Sequence, residues 1–407
     1  MRVWRVMTAV LAACILLTGT VAAEPIMLFD SEDGELLDAL AAAGDEVWPA
    51  VSDGTGAPAV GGKGAILIDQ GSGTVLFEKN ADERLPIASV TKIMTLLLVA
   101  EAVDEGLLAR SDRLTCSPRA ASMGGSQIWL EVGETMTADE LIKAAAVVSA
   151  NDACAVLAEH LCGSIEVFVD KMNARAAALG CENTRFVDCS GLNDTGYSCA
   201  RDVATMARQL MTHAWITDYT TIWMDTLRGG ASQLVNTNRL VRHYEGATGL
   251  KTGTTAAAGH CLAATATRGD LSLVAVILGC STTDERFGGA RAMLDHGFAL
   301  YGSYTPVIDP AALTPIPVRG GKEPDVTPVP DGVGALLIPK GRAAAVHTEV
   351  TLPPDLQAPV YEGQTVGAVT VTLDGEILAE FPLRAACEVG EMDWKTAMYR
   401  MLTALLC

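Results

Sequence analysis

The chain has 407 residues, 49% of them hydrophobic, which suits two or three domains with large cores and excludes wholesale disorder. Asp and Glu number 49 against 29 Lys and Arg, and the formal net charge of −20 argues against a protein that binds a nucleic-acid backbone. No GxxxxGK[ST] loop, HExxH or CxxC occurs, so the commonest nucleotide, zinc-protease and redox motifs are absent.

The N-terminus has the features of a secretory signal. Two arginines in the first five residues precede a mostly apolar run over Val6–Val21, and small residues follow at Ala22-Ala23. We expect residues 1–23 to be a cleaved signal, followed by an acidic leader over 24–60; an uncleaved anchor is the alternative. The segment ending at Cys14 resembles a lipoprotein box, but the apolar run continues past it. The protein is therefore expected to be exported.

The next elements are predicted from hydrophobic pattern and caps. Ala65–Ile68 and Thr74–Phe77 are β-rich runs on either side of a turn, which predicts a hairpin. A helical pattern follows over Ser89–Glu105. Thr137-Ala-Asp-Glu140 is a capping box, and it predicts an Ala-rich helix that ends near Ser149.

The middle of the chain is helical and is followed by two strands. Helices are predicted over Asp152–Leu161 and Asp202–His213, and strands over Cys261–Thr267 and Leu271–Gly279. This order, strands then helices then strands, predicts an α+β domain over residues 61–304. Its sheet takes its edges from both ends of the domain and is flanked by helices.

Prolines cluster between Tyr304 and Gly332, which indicates a linker. Alternating runs over Val369–Leu373 and Ile377–Leu383 flank an Asp374-Gly375 turn. Residues 305–388 are therefore predicted to form a linker and a small all-β domain.

The last segment, 389–407, is predicted to be an amphipathic helix. Its apolar residues recur at helical spacing: Trp394, Met398, Met401, Leu402 and Leu405. The apolar face could pack on the β domain or lie in the outer face of a membrane. Few cations and two nearby acids weaken attraction to anionic lipid, so both alternatives stay open.

The exported chain has ten cysteines after the signal is removed, and export permits disulfides. Cys154 and Cys261 lie in apolar contexts typical of buried thiols. Cys181, Cys189 and Cys199 share one loop-rich stretch, where a bridge is plausible. No metal site is expected there, because neither His nor Cys flanks them at ligand spacing.

Ser89 and Lys92 are the first candidates for chemistry. At the start of a helix, residues three apart share one face, so the hydroxyl and the amine can meet. Serine is a poor nucleophile unless a base takes its proton, and lysine serves only when burial or a neighbouring cation keeps it neutral. Ser-x-x-Lys also occurs by chance, and a helix-start serine beside a solvated lysine is the commoner outcome of this pattern alone.

Two further segments strengthen the case. Ser149 and Asn151 are polar residues between two apolar helices, where they are either a helix stop and cap or a hydroxyl and amide facing a site. Lys251-Thr252-Gly253 on a strand offers a cation, a hydroxyl and a glycine that a substrate backbone can approach. An ordinary strand edge with an exposed lysine is the alternative.

Together the three segments resemble the motifs Ser-x-x-Lys, Ser-x-Asn and Lys-Thr-Gly of the serine penicillin-recognising enzymes. The resemblance is greatest to the low-molecular-mass D-alanyl-D-alanine carboxypeptidases and extends from about Ala65 to Tyr301. It implies a β-lactamase/transpeptidase-like fold and needs no metal or other cofactor. The sequence differs at Asp188-Cys-Ser-Gly-Leu192, where Asn-Pro/Thr-x-Gly-Leu is more usual.

The resemblance implies a role for each site residue. Ser89 would attack the carbonyl between the two terminal D-alanines of a peptidoglycan stem pentapeptide, and Lys92 would take its proton. Ser149 would relay that proton to the leaving amine, and Asn151 would orient Lys92 and the substrate. Lys251, Thr252 and Gly253 would hold the substrate, with the oxyanion between the N–H groups of Ser89 and Thr254. β-Lactam antibiotics would acylate the same serine.

Three alternatives remain at this point. A class A β-lactamase shares the nucleophile but prefers Ser-Asp-Asn and lacks a β-rich C-terminal domain. An endopeptidase or transpeptidase of the same superfamily uses identical residues. A non-catalytic penicillin-binding sensor would not need to retain Ser89, Lys92 and Lys251.

An association with the outer face of the cytoplasmic membrane through 391–407 is the expected localisation.

Overall fold

The structure is a computed structural model that describes Pro58 and residues 60–398. The predicted signal, nearly all of the acidic leader and residues 399–407 lie outside the described residues. The chain divides into two compact units, one ending at Leu300 and the other beginning at Tyr301.

The first unit contains a five-stranded antiparallel sheet with strands from both ends of the unit, and its α+β architecture confirms the predicted fold class. In spatial order the strands are β2 (Val75–Lys79), β1 (Gly64–Asp69), β9 (Leu271–Cys280), β8 (Gly259–Arg268) and β7 (Ala247–Thr255). Two small antiparallel pairs accompany it: β3 (Arg113–Thr115) with β4 (Thr135–Thr137), and β5 (Met224–Leu227) with β6 (Ser232–Val235).

Helices fill the chain between β2 and β7 and follow β9. The α-helices of this unit are α1 (Lys92–Asp104), α2 (Pro118–Ala121), α3 (Ala138–Val147), α4 (Asn151–Cys162), α5 (Ile165–Ala178), α6 (Ala200–Leu210), α7 (Thr217–Thr220), α8 (Leu240–His243) and α9 (Thr283–Leu300). Short 3₁₀ turns cover Ala88–Thr91, Ala214–Ile216 and Arg228–Gly230.

Most predicted helices are present, with one difference at the nucleophile. The capping box at Thr137 is confirmed, because the Thr137 side chain accepts from the Glu140 N–H and the Glu140 side chain accepts from the Thr137 N–H. The helix predicted from Ser89 instead begins with the 3₁₀ turn, and α1 starts at Lys92. Helices α5 and α9 were not predicted.

Both faces of the sheet are covered. Every residue of β1 is buried, so the strand reads as a continuous apolar run. Ile66 and Ile68 belong to the core that contains the α1 and α6 side chains. The opposite face meets α9, where a Cβ on Gly297 would lie 2.6 Å from the Leu273 side chain. That close approach requires glycine, and the glycines in α9 hide its helical pattern.

Helix α1 is buried almost all round. From Lys92 to Ala102 only Glu101 is partly exposed, so the helix passes through the centre of the unit. A helix that is apolar on every face belongs in a core. Its first residue is nevertheless a lysine. This places an amine in the interior beside the nucleophile turn, the 3₁₀ turn over Ala88–Thr91 that contains Ser89.

The second unit is made of strands, which confirms the predicted small β domain. Its strands are β10 (Tyr301–Tyr304), β11 (Ile316–Arg319), β12 (Asp325–Val326), β13 (Pro328–Pro330), β14 (Leu336–Pro339), β15 (Val346–Thr351), β16 (Leu356–Gln357), β17 (Thr365–Leu373) and β18 (Glu376–Ala385), with 3₁₀ turns at Pro310–Ala312 and Ala343–Ala345. The predicted hairpin at Asp374-Gly375 joins β17 to β18. Residues 394–398, in the predicted tail helix, are helical.

Candidate active site

The candidate nucleophile, Ser89, lies in the 3₁₀ turn before α1 and is partly exposed, so a substrate can reach it. Ala88, just before it, has φ of 48°, which a residue with a Cβ rarely adopts. A Cβ on Gly191 would lie only 1.8 Å from the Ala88 carbonyl oxygen. The loop at Gly191 therefore packs directly on the nucleophile turn, and only glycine permits that contact.

The Lys92 amine lies at the centre of the site and is fully buried. Its Nζ is 2.9 Å from Ser89 Oγ, 2.6 Å from Asn151 Oδ1 and 2.7 Å from the Ser190 carbonyl oxygen. Burial lowers the pKa of Lys92 from its ordinary value, because a charged amine loses its water.

These three contacts suit a neutral amine that acts as a base. A neutral amine has two N–H groups and one lone pair. The Asn151 and Ser190 oxygens can only accept, so they take the two N–H groups. The lone pair of Lys92 then faces Ser89 Oγ, and the serine hydroxyl can donate to it. The geometry therefore places a group that could accept a proton against the candidate nucleophile.

The Ser149–Asn151 segment forms a second wall. Asn151 is the first residue of α4; its Nδ2 donates to Gly124 O at 2.6 Å and its backbone N–H to Ser126 O at 2.7 Å. These bonds turn Oδ1 towards Lys92. Ser149 is buried at φ of 65°, and within the described part of the chain its Oγ has no hydrogen-bond partner. A buried hydroxyl without a partner in a strained turn is typical of a functional position.

The Lys251–Thr254 segment lies in β7. Lys251 is fully buried, and its Nζ donates to Thr252 O at 3.0 Å. Burial and the positive charge of Lys92 hold the pKa of Lys251 well below its ordinary value, because two buried amines resist being charged together. A substrate carboxylate beside Lys251 would favour its charged form. The Lys92 amine therefore acts electrostatically on Lys251.

Two residues without a role assigned from the sequence hold this strand. Arg286 of α9 donates from Nη1 to Gly253 O at 3.3 Å, Thr254 Oγ1 at 3.2 Å and Cys261 O at 3.3 Å. Thr237 Oγ1 accepts from Thr252 Oγ1 at 2.7 Å.

These contacts left little trace in the sequence. Thr237 lies within a segment that resembles the family, but Arg286 lies in an unpredicted helix and had no sequence signal. The Ser190 carbonyl is a backbone group, and a backbone group has no signal in the sequence.

Gly253 is explained by its own neighbours. A Cβ there would lie 2.6 Å from the Ile87 carbonyl oxygen and 3.0 Å from the Ser89 nitrogen. The sequence predicts that a substrate backbone approaches this glycine, but in the structure the turn that contains Ser89 lies against it. Strand β7 and the turn can therefore touch only through glycine.

We expect Gly253→Ala to push β7 away from Ser89. The free energy of unfolding of the variant should fall by about 1–3 kcal/mol, and its turnover should fall by at least about 10-fold. Gly288 is the matched control, because it is a helical glycine with open space around its Cβ position. Gly288→Ala should be neutral or stabilise by about 0.5–1 kcal/mol. Thermal unfolding and turnover of both variants test this; equal behaviour would contradict it.

The cysteines of the described chain are free thiols, including Cys181, Cys189 and Cys199, so the plausible bridge is not formed in this structure. Burial raises the pKa of the Cys154 thiol to about 11 and that of Cys199 to about 12, which keeps both protonated. No group of three or more His, Cys, Asp or Glu side chains in the described ranges could hold a metal ion.

Comparison with known proteins gives two adjoining family matches. A family model described as D-alanyl-D-alanine carboxypeptidase matches residues 52–282. A model of the C-terminal domain of penicillin-binding protein 5 matches residues 303–391. The two matches fall on the two compact units.

Individual relatives agree with this assignment. D-alanyl-D-alanine carboxypeptidase DacF of Bacillus subtilis is 40% identical over 345 residues, which cover 84% of this chain and 89% of the relative. Penicillin binding protein 5 from Haemophilus influenzae matches with a TM-score of 0.72 at 29% identity, over 82% of this chain and 99% of that one. Penicillin-binding protein D2 from Listeria monocytogenes, solved in an ampicillin-bound form, matches with a TM-score of 0.54 at 32% identity, over 59% and 98%.

Proposed function

Because the chain belongs to the D-alanyl-D-alanine carboxypeptidase family, we propose that Ser89 and Lys92 are its nucleophile and general base. The enzyme is a serine-type D-Ala-D-Ala carboxypeptidase of the penicillin-binding class. Its substrate is the peptidoglycan stem pentapeptide, from which it removes the terminal D-alanine. The observation that carries the assignment of the base is the set of contacts around Lys92 Nζ.

Acylation follows from those contacts. The Ser89 hydroxyl gives its proton to the Lys92 lone pair as its oxygen attacks the carbonyl carbon between the two D-alanines. The oxyanion that forms is stabilised by the N–H groups of Ser89 and Thr254, a type of interaction worth about 10²–10³ in rate per donor. Asn151 keeps the amine in place while its proton count changes.

Collapse of the tetrahedral intermediate breaks the peptide bond. The leaving amine takes the proton that Lys92 received, relayed through the Ser149 hydroxyl, which has no competing partner among the described residues. D-Alanine departs and leaves an ester on Ser89, with Lys92 neutral again. Water gives a proton to Lys92 as its oxygen attacks the ester, and Lys92 passes that proton to Ser89 Oγ as the ester bond breaks. A β-lactam ring would be opened by the first of these steps.

Lys251 and Thr252 would recognise the free carboxylate of the terminal D-alanine. In the part of the chain that the structure describes, Lys251 Nζ donates to the Thr252 carbonyl and forms no ion pair, and Thr237 accepts from the Thr252 hydroxyl. An incoming carboxylate would therefore supply a negative charge beside Lys251. This recognition suits a peptide whose scissile bond is followed by a free carboxylate, as it is at a D-Ala-D-Ala terminus.

The test compares two peptides that end in D-Ala-D-Ala, one with a free carboxylate and one with a terminal amide. We expect D-alanine release from the first, and about 10²-fold lower kcat/KM for cleavage of the second, because a polar pocket left without its partner rejects a ligand strongly. Comparable cleavage of the two peptides would refute carboxylate recognition. No release from either would refute the proposed function.

We further propose that the enzyme works outside the cytoplasmic membrane and contacts its outer surface through residues 391–407. Trp394 and Met398 are 68% and 52% exposed at the start of the tail, where an aromatic ring and an apolar side chain suit a lipid interface. Within the described residues, no helix has both the length and the apolar character needed to cross a membrane.

The tail proposal predicts a difference between two forms of the protein. The chain from residue 24 should sediment with phospholipid vesicles, and the same chain ending at residue 390 should remain in the supernatant with unchanged D-alanine release. Vesicles with and without anionic lipid separate apolar insertion from charge attraction. Sedimentation of the shortened chain would refute the role of the tail.

A further inference from the structure

One acceptor of the Lys92 amine is a backbone carbonyl, and its place depends on a turn. The Ser190 carbonyl lies 2.7 Å from Lys92 Nζ, and Ser190 is fully buried. The residue before it is tied to α1, because Thr95 Oγ1 donates to Cys189 O at 2.6 Å. The turn continues on the C-terminal side of Ser190, where another side chain is needed to fold it.

The side chain of Asp188 folds it. Its carboxylate accepts from the backbone N–H groups of Ser190 and Asn193, each at 2.7 Å, and from that of Gly191. Three N–H groups converging on one carboxylate define the turn over residues 188–193. The Ser190 N–H and carbonyl belong to adjacent peptide units, so fixing the first limits where the second can point. Within residues 60–398 Asp188 forms no ion pair with a lysine or arginine.

We propose that Asp188 is a positioning residue for the general base, because its carboxylate holds the turn that delivers the Ser190 carbonyl to the Lys92 amine. The inference rests on the proposed role of Lys92. It assigns to Asp188 no contact with substrate.

The negative charge of Asp188 has a separate consequence. It attracts the proton on Lys92 and so opposes the neutral form that the reaction needs. Burial acts in the other direction and is the larger effect. The groups that act on Lys92 are Cys154, Cys189, Asp188 and Asp152, and those that act on Lys251 are Lys92, Cys154 and Arg286. Of these, Asp188 is bound directly to the residue whose carbonyl contacts Lys92.

Two substitutions separate the turn from the charge. Asp188→Asn removes the charge but keeps one oxygen, which can still accept from Ser190 and Gly191. Asp188→Ala removes the charge and also the oxygens that accept from the turn. Asp170→Asn is the matched control, since Asp170 is an exposed residue of α5 and its replacement makes the same chemical change.

The experiment measures kcat and KM for D-alanine release against pH, together with thermal unfolding. Neutral Lys92 is the active form, so activity falls as pH drops through the pKa of Lys92. Asp188→Asn should move this acid limb to lower pH by about 0.5–1 unit while keeping kcat on the plateau within about 3-fold. Asp188→Ala should lower kcat about 10–100-fold with little change in KM. Asp170→Asn should match the wild type.

A kcat of Asp188→Ala equal to that of Asp188→Asn would overturn the proposal, because the turn would then deliver the Ser190 carbonyl without an accepting side chain at position 188. An acid limb of Asp188→Asn that coincides with that of the wild type would refute the separate effect of the Asp188 charge on Lys92. If instead the wild type releases no D-alanine, the proposed function fails; the pH dependence of penicillin acylation in the same variants then decides on Asp188 alone.

Discussion

Ser89→Ala is expected to abolish D-alanine release, with a fall of at least about 10⁴-fold in kcat/KM, because no other hydroxyl lies against the Lys92 amine among the contacts that the structure describes. The variant should fold normally, since it removes one oxygen from a partly exposed side chain. After exposure to a penicillin, the intact mass of the wild type should rise by one acyl group, and that of the variant should not.

Ser122→Ala is the control for this prediction. Ser122 is exposed, and its hydroxyl donates only to Arg119 O within its own turn. It should be acylated like the wild type. A penicillin adduct on Ser89→Ala would show that another residue is the nucleophile, and the adduct's position by peptide mapping would identify it.

Lys92→Met is expected to have the second large effect on catalysis. Methionine fills nearly the same volume and cannot take a proton, so the core should remain packed while kcat/KM falls by at least about 10²–10⁴-fold. Acylation by penicillin should slow by a similar factor, because the same proton must leave Ser89. Lys92→Arg should be as inactive, since a guanidinium stays charged. Rates near those of the wild type in either variant would remove Lys92 from the mechanism.

The same replacement should change how stability depends on pH. The folded-state pKa of Lys92 lies below its ordinary value of 10.5, so the unfolded chain binds more protons between those two values. The stability of the wild type relative to Lys92→Met should therefore rise with pH in the alkaline range below about pH 10.5. Urea unfolding at several pH values measures the difference. A constant difference would mean that the folded pKa of Lys92 is ordinary.

The fold and the site argue against two of the alternative functions that the motifs left open. A class A β-lactamase would not carry the second unit, whose strands match the C-terminal domain of penicillin-binding protein 5. A non-catalytic sensor does not explain a buried amine held against a serine hydroxyl. The amide-capped peptide remains the direct test of carboxylate recognition by Lys251 and Thr252.

Much of the architecture could be predicted because its signals are local. The β1–β2 hairpin, the capping box at Thr137 and the β17–β18 hairpin each depend on neighbouring residues, and each is present. Helix α9 was missed because glycines interrupt its pattern, and the α9–sheet contact at Gly297 is the reason for one of them. The 3₁₀ turn at Ser89 was missed because a contact from Gly191, far along the chain, accompanies its strained backbone.

The linear order of residues was enough to name candidate reacting groups, because a serine and a lysine three positions apart, an amide, and a second lysine on a strand are all side-chain identities. It could not reveal what would make the first lysine a base. That property depends on the loss of water around the amine, on a carbonyl supplied 98 residues later, and on an arginine and an aspartate that hold the surrounding backbone. Desolvation and backbone direction exist only after distant segments pack together, so they leave no mark on the sequence.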